Sequence, residues 1–224
     1  MRYCIKTMLI SNNGINWDER PFTSITTWTL DLTTNGLKTV YVRFKGNLGG
    51  ISAPISDSVL LFNNGDFSQD LLPWSRHGGL GVTVVNSAAR LGDQNYPCNN
   101  VPVDYAGVSQ TFIMPNVPMG ERLFLNFTYQ IHTQDLNTTL DSGYDRFVVL
   151  INGSEVFKDM NKDSSKRPTC DNWYSVGPQG AGIAIPTTYD TDQEVTVEFR
   201  VYNRPDNLYN TYIDLDNVHL EFTP

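Results

Sequence analysis

The sequence of 224 residues is short of charge and of the residue types that most often do chemistry: charged side chains make up 18%, and there are three histidines and three cysteines. No stretch of about 18 or more apolar residues occurs, so a membrane-spanning helix is excluded and no membrane insertion is expected. The cysteines show no CxxC spacing, which argues against a zinc cluster, and one of the three must stay outside any single disulfide. Catalytic signatures are missing too. There is no GxSxG, HExxH or P-loop sequence, and Gly180-Ala181-Gly182 lacks the third glycine of a dinucleotide loop. Acidic residues are too common for a carboxylate pair alone to argue a glycosidase, so an enzyme is not expected. Positive charge is scarce: 16 basic against 24 acidic residues leave a net charge of -8, which repels phosphate backbones and disfavours a nucleic-acid partner. The opening Met1 to Ile10 has two cations but no small-residue cleavage site, so it does not read as a signal peptide, and export would need a segment beyond this sequence.

What the chain does have is an apolar fraction of 40%, with 12% aromatics, arranged with a period of two. Trp28, Leu30 and Leu32 alternate with Thr27, Thr29 and Asp31, and Val40, Val42 and Phe44 alternate with Thr39, Tyr41 and Arg43. Asn35-Gly36 between them suits a tight turn, which predicts a hairpin from Thr27 to Phe44. The cluster Asn63-Asn64-Gly65-Asp66 marks a boundary that divides the chain into residues 1–61 and 62–224. Beyond it, strands are expected at Gly81 to Val85, Ala88 to Leu91, Val108 to Met114, Arg122 to His132, Tyr144 to Asn152, Gln193 to Asn203 and Tyr212 to Phe222. Leu123, Leu125, Phe127, Tyr129 and Ile131 share one face of the longest, whereas Phe147 to Ile151 is apolar on both parities and reads as a central strand. A long loop is expected from Asp159 to Asp190. The fold class is therefore all-β, with the second part a two-sheet sandwich.

Two resemblances refine this. The run from Met8 through "SNNGINW" and "TTWTLDLTTNGLKTVYVRFKGNLGGISAPISDSVLL" resembles the later strands of Ig-like repeats in bacterial surface and secreted proteins, which implies a partial Ig-like β-sandwich truncated at its N-terminus. Residues 62–223 resemble galactose-binding-like jelly rolls, the architecture of many carbohydrate-binding modules, through "NNGDFSQDLLPW" at Asn63 to Trp74 and "YIDLDNVHLEF" at Tyr212 to Phe222. Ser68 stands where that group commonly has glutamate. The closing strand keeps its apolar parity only with a bulge at Asp216-Asn217. In the modules it resembles, a structural calcium often lies between the first and last strands; this implies Asp66 and Asp216 as ligands, with Asp214 a weaker third. The alternative, that these carboxylates only cap turns, stays open.

Cys98 and Cys170 fall in polar loops expected near one end of the sandwich. A disulfide between them would stabilise the fold by roughly 4 kcal/mol and point to an oxidising compartment; two free thiols are the alternative. Trp173, Tyr174 and Asp171 in the long loop, together with Tyr96, form a candidate glycan surface, since ring faces stack on sugar C–H groups while carboxylates bond hydroxyls. Trp173 could equally plug the end of the sandwich. These readings converge on a non-catalytic extracellular module, secreted or at the cell surface, that binds polysaccharide or mediates adhesion as an appendage of neighbouring domains in a larger protein. A structural spacer without glycan binding is the second expectation, and a glycoside-active domain the third.

Overall fold

The computed structural model describes residues 4–30, 36–135, 145–160, 166–203 and 207–224, with Leu61 described by its backbone alone. Every regular element among them is a strand. The chain separates into two compact units, Met1–Leu61 and Phe62–Pro224.

The first unit is one antiparallel sheet of β1 (Ile5–Ser11), β2 (Asp18–Pro21), β3 (Gly36–Gly46) and β4 (Ile55–Leu61), in the order β2-β1-β3-β4. The hairpin expected from Thr27 to Phe44 does not form. Both edges of β3 are taken: Phe44 and Val42 stand opposite Met8 and Ile10 of β1, and Val42 stands opposite Ile55 of β4. The described residues of the expected first arm, 27–30, lie outside any strand, and 31–35 fall outside the described residues. Side chains hold that arm instead. The Arg20 guanidinium lies 4.8 Å from the Trp28 ring centroid, the Trp28 indole N–H donates to Asn12 Oδ1, and Asn12 Nδ2 donates to the Thr29 carbonyl at 3.1 Å.

The second unit is a jelly-roll sandwich of two five-stranded sheets. One has the order β11-β10-β13-β8-β5, from β11 (Ser154–Asp159), β10 (Arg146–Ile151), β13 (Glu194–Tyr202), β8 (Tyr105–Ile113) and β5 (Ser75–His77). The other has the order β12-β9-β14-β7-β6, from β12 (Tyr174–Ala184), β9 (Arg122–Thr133), β14 (Thr211–Thr223), β7 (Ala88–Leu91) and β6 (Val82–Val85). Phe127 of β9 meets Phe199 of β13 edge-on at 5.1 Å and Phe147 of β10 at 6.1 Å, so aromatic rings join the two inner faces. As its double parity implied, β10 is buried from Phe147 to Ile151 and paired on both sides, with β11 and β13. Tyr144, the expected start of that strand, lies outside the described residues.

The expected long loop is corrected by β12, which pairs with β9 from Tyr174 to Ala184. Its three glycines and Pro178 read as turn residues. They are tolerated because β12 is an edge strand, with its register broken between Val176 and Gln179, where Pro178 sits.

The opening loop docks on the last strand. The Val218 N–H donates to the Gly65 carbonyl at 2.8 Å, and a Cβ at Gly65 would collide with the Val218 carbonyl. Asn64 ties the loop internally by donating from Nδ2 to the carbonyls of Asp70 and Leu72, and its own carbonyl accepts from the buried Trp74 indole at 3.0 Å. Gly65→Ala is expected to cost about 3 kcal/mol. An urea midpoint equal to that of the parent would contradict this docking.

Candidate functional site

Strand alternation fixes which side chains leave the core. On β14, Ile213 and Leu215 are buried, so Tyr212, Asp214 and Asp216 face outward. Register then assembles neighbours from distant parts of the chain. Asp214 stands opposite Arg90 of β7 and Gln130 of β9, Tyr212 opposite His132, Asp216 opposite Thr128, and His132 opposite Ser175 of β12.

These side chains form a closed set of contacts. Arg90 donates from Nε and Nη2 to the two carboxylate oxygens of Asp214 at 2.7 and 2.8 Å, and from Nη1 to Gln94 Oε1 at 2.6 Å. The same guanidinium lies 4.5 Å from the Tyr212 ring centroid. His132 stacks on Tyr212 at 4.5 Å with the rings 11° apart, shares a hydrogen bond between Nδ1 and Ser175 Oγ at 2.7 Å, and brings Nε2 to 3.3 Å from Asp214 Oδ2. Arg90 comes from β7 and His132 from β9, on either side of β14, so both faces of Tyr212 are covered.

Trp173 meets Tyr212 at 5.0 Å with the rings 64° apart. Since both Tyr212 faces are occupied, the tyrosine presents its edge to the indole. The indole is thus packed against a ring held on both faces yet stays partly accessible: Trp173 is 37% exposed, against 8% for Tyr212.

The electrostatics follow from these contacts. Burial pushes Asp214 upward, but the hydrogen bonds from Arg90 and His132 outweigh it and hold the carboxyl below its ordinary value. The Asp214 hydrogen bond in turn raises Arg90.

The other predicted residues are only partly gathered here. Cys98 and Cys170 form a disulfide, with Cα atoms 5.4 Å apart, which ties the Tyr96 loop to the segment before Trp173. Cys4 is a free, exposed thiol. Tyr96 directs its hydroxyl to the Gly79 carbonyl at 3.5 Å, and Asp171 is exposed beside the disulfide. Tyr174 turns away from Trp173: its hydroxyl donates to the Arg167 carbonyl at 3.4 Å, and Lys166 Nζ lies 5.0 Å from its ring centroid.

Asp66 and Asp216 are close enough to interact. Burial raises the Asp216 carboxyl, the Asn217 N–H pulls it back, and the Asp66 charge adds to the upward push. Both carboxylates also accept local bonds, Asp66 Oδ1 from Ser68 and Asp216 Oδ1 from the Asn217 N–H. The bulge expected at Asp216-Asn217 is present, with Asn217 at φ 53°. Asp214 is engaged by Arg90, and no group of three or more His, Cys, Asp or Glu side chains able to hold a metal occurs among the described residues.

Sequence reasoning missed Arg90, His132 and Tyr212 as members of the site. Only the register of three separate strands shows that they meet. Asp214→Asn is expected to cost about 2 kcal/mol at pH 7, because it breaks a largely buried, two-bond ion pair. The folded-state value of Asp214 is lowered, so its contribution is full above the ordinary carboxylate range and is lost as pH falls through the folded value. The difference in urea midpoint between parent and variant should hold from pH 7 down to about pH 4 and shrink only as pH falls further; a pH-independent difference would contradict the assignment.

No protein-family model matches the sequence, and no curated protein matches it. Solved structures show weak likeness. A structure described as bearing on the promiscuous specificity of carbohydrate-binding modules from the β-sandwich superfamily is 13% identical, with 98% of this chain and 86% of that one covered and a TM-score of 0.35. TmCBM61 in complex with β-1,4-galactotriose is 13% identical over 71% of this chain and 96% of its own, at 0.40. The secreted serine protease VesC from Vibrio cholerae is 15% identical over 84% of this chain and 34% of its own, at 0.38. At these scores the likeness carries no functional argument, and the site is read from its own geometry.

Proposed function

We propose that residues 62–224 are a non-catalytic carbohydrate-binding module of a secreted or cell-surface protein, serving as an adhesive or targeting appendage to neighbouring domains. The observation that carries this reading is the Trp173 indole, 37% exposed and packed against Tyr212, whose ring is itself held by His132 and Arg90. A sugar ring needs such a surface: its C–H face loses water against a flat ring that gives up little freedom on binding, while adjacent polar side chains bond the hydroxyls. Asp171 and Ser175 flank the indole in sequence, and the Arg90–Asp214 pair lies one residue pair along β14. The Cys98–Cys170 disulfide supports an oxidising, extracellular setting.

Trp173→Ala is expected to weaken retention in neutral-polysaccharide affinity gels by about tenfold, the loss of one stacking contact. Tyr174→Ala should bind like the parent, because that ring is turned toward Lys166 and Arg167. A Trp173→Ala protein retained as strongly as the parent would sink the platform, and a parent retained by no polysaccharide would favour the spacer reading.

A structural calcium belongs to the same proposal. Asp66 and Asp216 would hold it, and the ion would neutralise the carboxylate repulsion where the opening loop meets the last strand. In chelator at neutral pH the raised Asp216 is a cost to the fold, so Asp216→Asn should be neutral or stabilising. Calcium should then raise the melting temperature of the parent but not of the variant. No calcium-dependent shift in the parent would remove the ion from the account.

A further inference from the structure

We infer that the outer face of the β12-β9-β14-β7-β6 sheet carries a track for an internal run of a neutral polysaccharide, built from two grooves that meet at the Arg90–Asp214 pair. This rests on the glycan-binding reading above and extends it from one ring to a chain.

The first groove, of about 320 Å³, is lined by Ala88, Thr128, Gln130, Pro178, Asp214 and Asp216, among others. Its origin is in the backbone. β9 is flanked by two register breaks, one on β12 between Val176 and Gln179 and one on β14 between Asp216 and His219. Bulges bend the strands that carry them, and these two open a notch over Thr128 to Gln130. The second groove, of about 270 Å³, lies on the other side of β14 and is lined by Thr83, Val85, Arg90, Asp93, Gln94 and Asn95, with glycines 81 and 92.

Arg90 lines one groove and Asp214 the other, and the two are bonded to each other, so their ion pair is the ridge between them. From β6 to β12 the face spans four interstrand spacings, roughly 19 Å, which suits a short oligosaccharide rather than one ring. Trp173 stands at the level of Tyr212, about 7 Å along β14 from the ridge, so a chain anchored on the indole continues into the grooves.

The lining selects the chemistry of that chain. Gln130, Gln94 and Asn95 both donate and accept, the carboxylates of Asp93, Asp214 and Asp216 accept, and Arg90 donates, which matches a ligand covered in hydroxyls. Ala88, Val85 and Pro178 supply small apolar patches for sugar C–H faces. Without bound calcium, three carboxylates against one guanidinium leave the track acidic, so uronic or sulfated chains are repelled.

Calorimetry on the full 224-residue chain tests this, with β-1,4-linked gluco- and galacto-oligosaccharides of two to six units and a tetragalacturonate as the anionic probe. Affinity for the neutral series that fits is expected to rise about tenfold from two units to four and then level off. Thr83→Trp and Ala88→Trp, each filling one groove from an outward position, should each lose most of that gain and leave disaccharide binding as in the parent. Gln130→Ala provides the same reading if a filled groove disturbs folding, checked by melting temperature. In chelator, which keeps Asp216 free of calcium, the tetragalacturonate should bind at least about tenfold more weakly than the neutral tetramer at low salt. Equal affinity for two and six units, still lost in Trp173→Ala, would overturn the track and leave the platform standing. Equal affinity for the anionic tetramer would overturn the acidic selection, and a parent that binds no probe would overturn both readings.

Discussion

The insertion of β14 between β9 and β7 is the constraint on which the rest of the second unit depends. Because side chains alternate along a strand, that one register places Ile213 and Leu215 in the core and Tyr212, Asp214 and Asp216 outside. A slip of one residue would exchange these sets, burying a carboxylate and exposing the apolar positions. The same strand receives the opening loop at Val218, so the ends of the unit are joined at the strand that organises the outer face.

On that face, the ion pair and the aromatic contacts use the same atoms. The Arg90 guanidinium neutralises Asp214, covers one side of Tyr212 and fixes Gln94, so two strands and a loop share a single cation. Tyr212 spends both ring faces on these contacts and is unavailable for stacking on a ligand. What it offers is its edge, against which Trp173 packs while remaining 37% exposed. A rigid surface loses little entropy on binding, which is where its affinity would come from.

Much of the fold was legible in the sequence, and the site was legible only in part. Alternation at Leu123 to Ile131 and double parity at Phe147 to Ile151 located a face and a central strand, because burial depends on local order along a strand. The need for a bulge at Asp216-Asn217 could be read from spacing alone. Pairing partners could not. The expected hairpin from Thr27 to Phe44 relied on a favourable Asn-Gly turn, whereas β3 found longer apolar partners in β1 and β4. β12 was hidden by Gly177, Pro178, Gly180 and Gly182, which an edge strand accommodates and a central one would not. Trp173 was chosen for its chemistry, and the contacts behind it were not legible, since Arg90 and Asp214 are 124 positions apart.

The central claim is that the exposed part of Trp173 is where sugar is bound. Nitrogen–proton correlation spectra of the folded protein resolve the indole N–H groups of its four tryptophans, which can be followed as a neutral oligosaccharide is added. The account predicts that the Trp173 resonance moves saturably while the buried Trp74 stays in place. Saturable binding in which Trp173 does not move would contradict it.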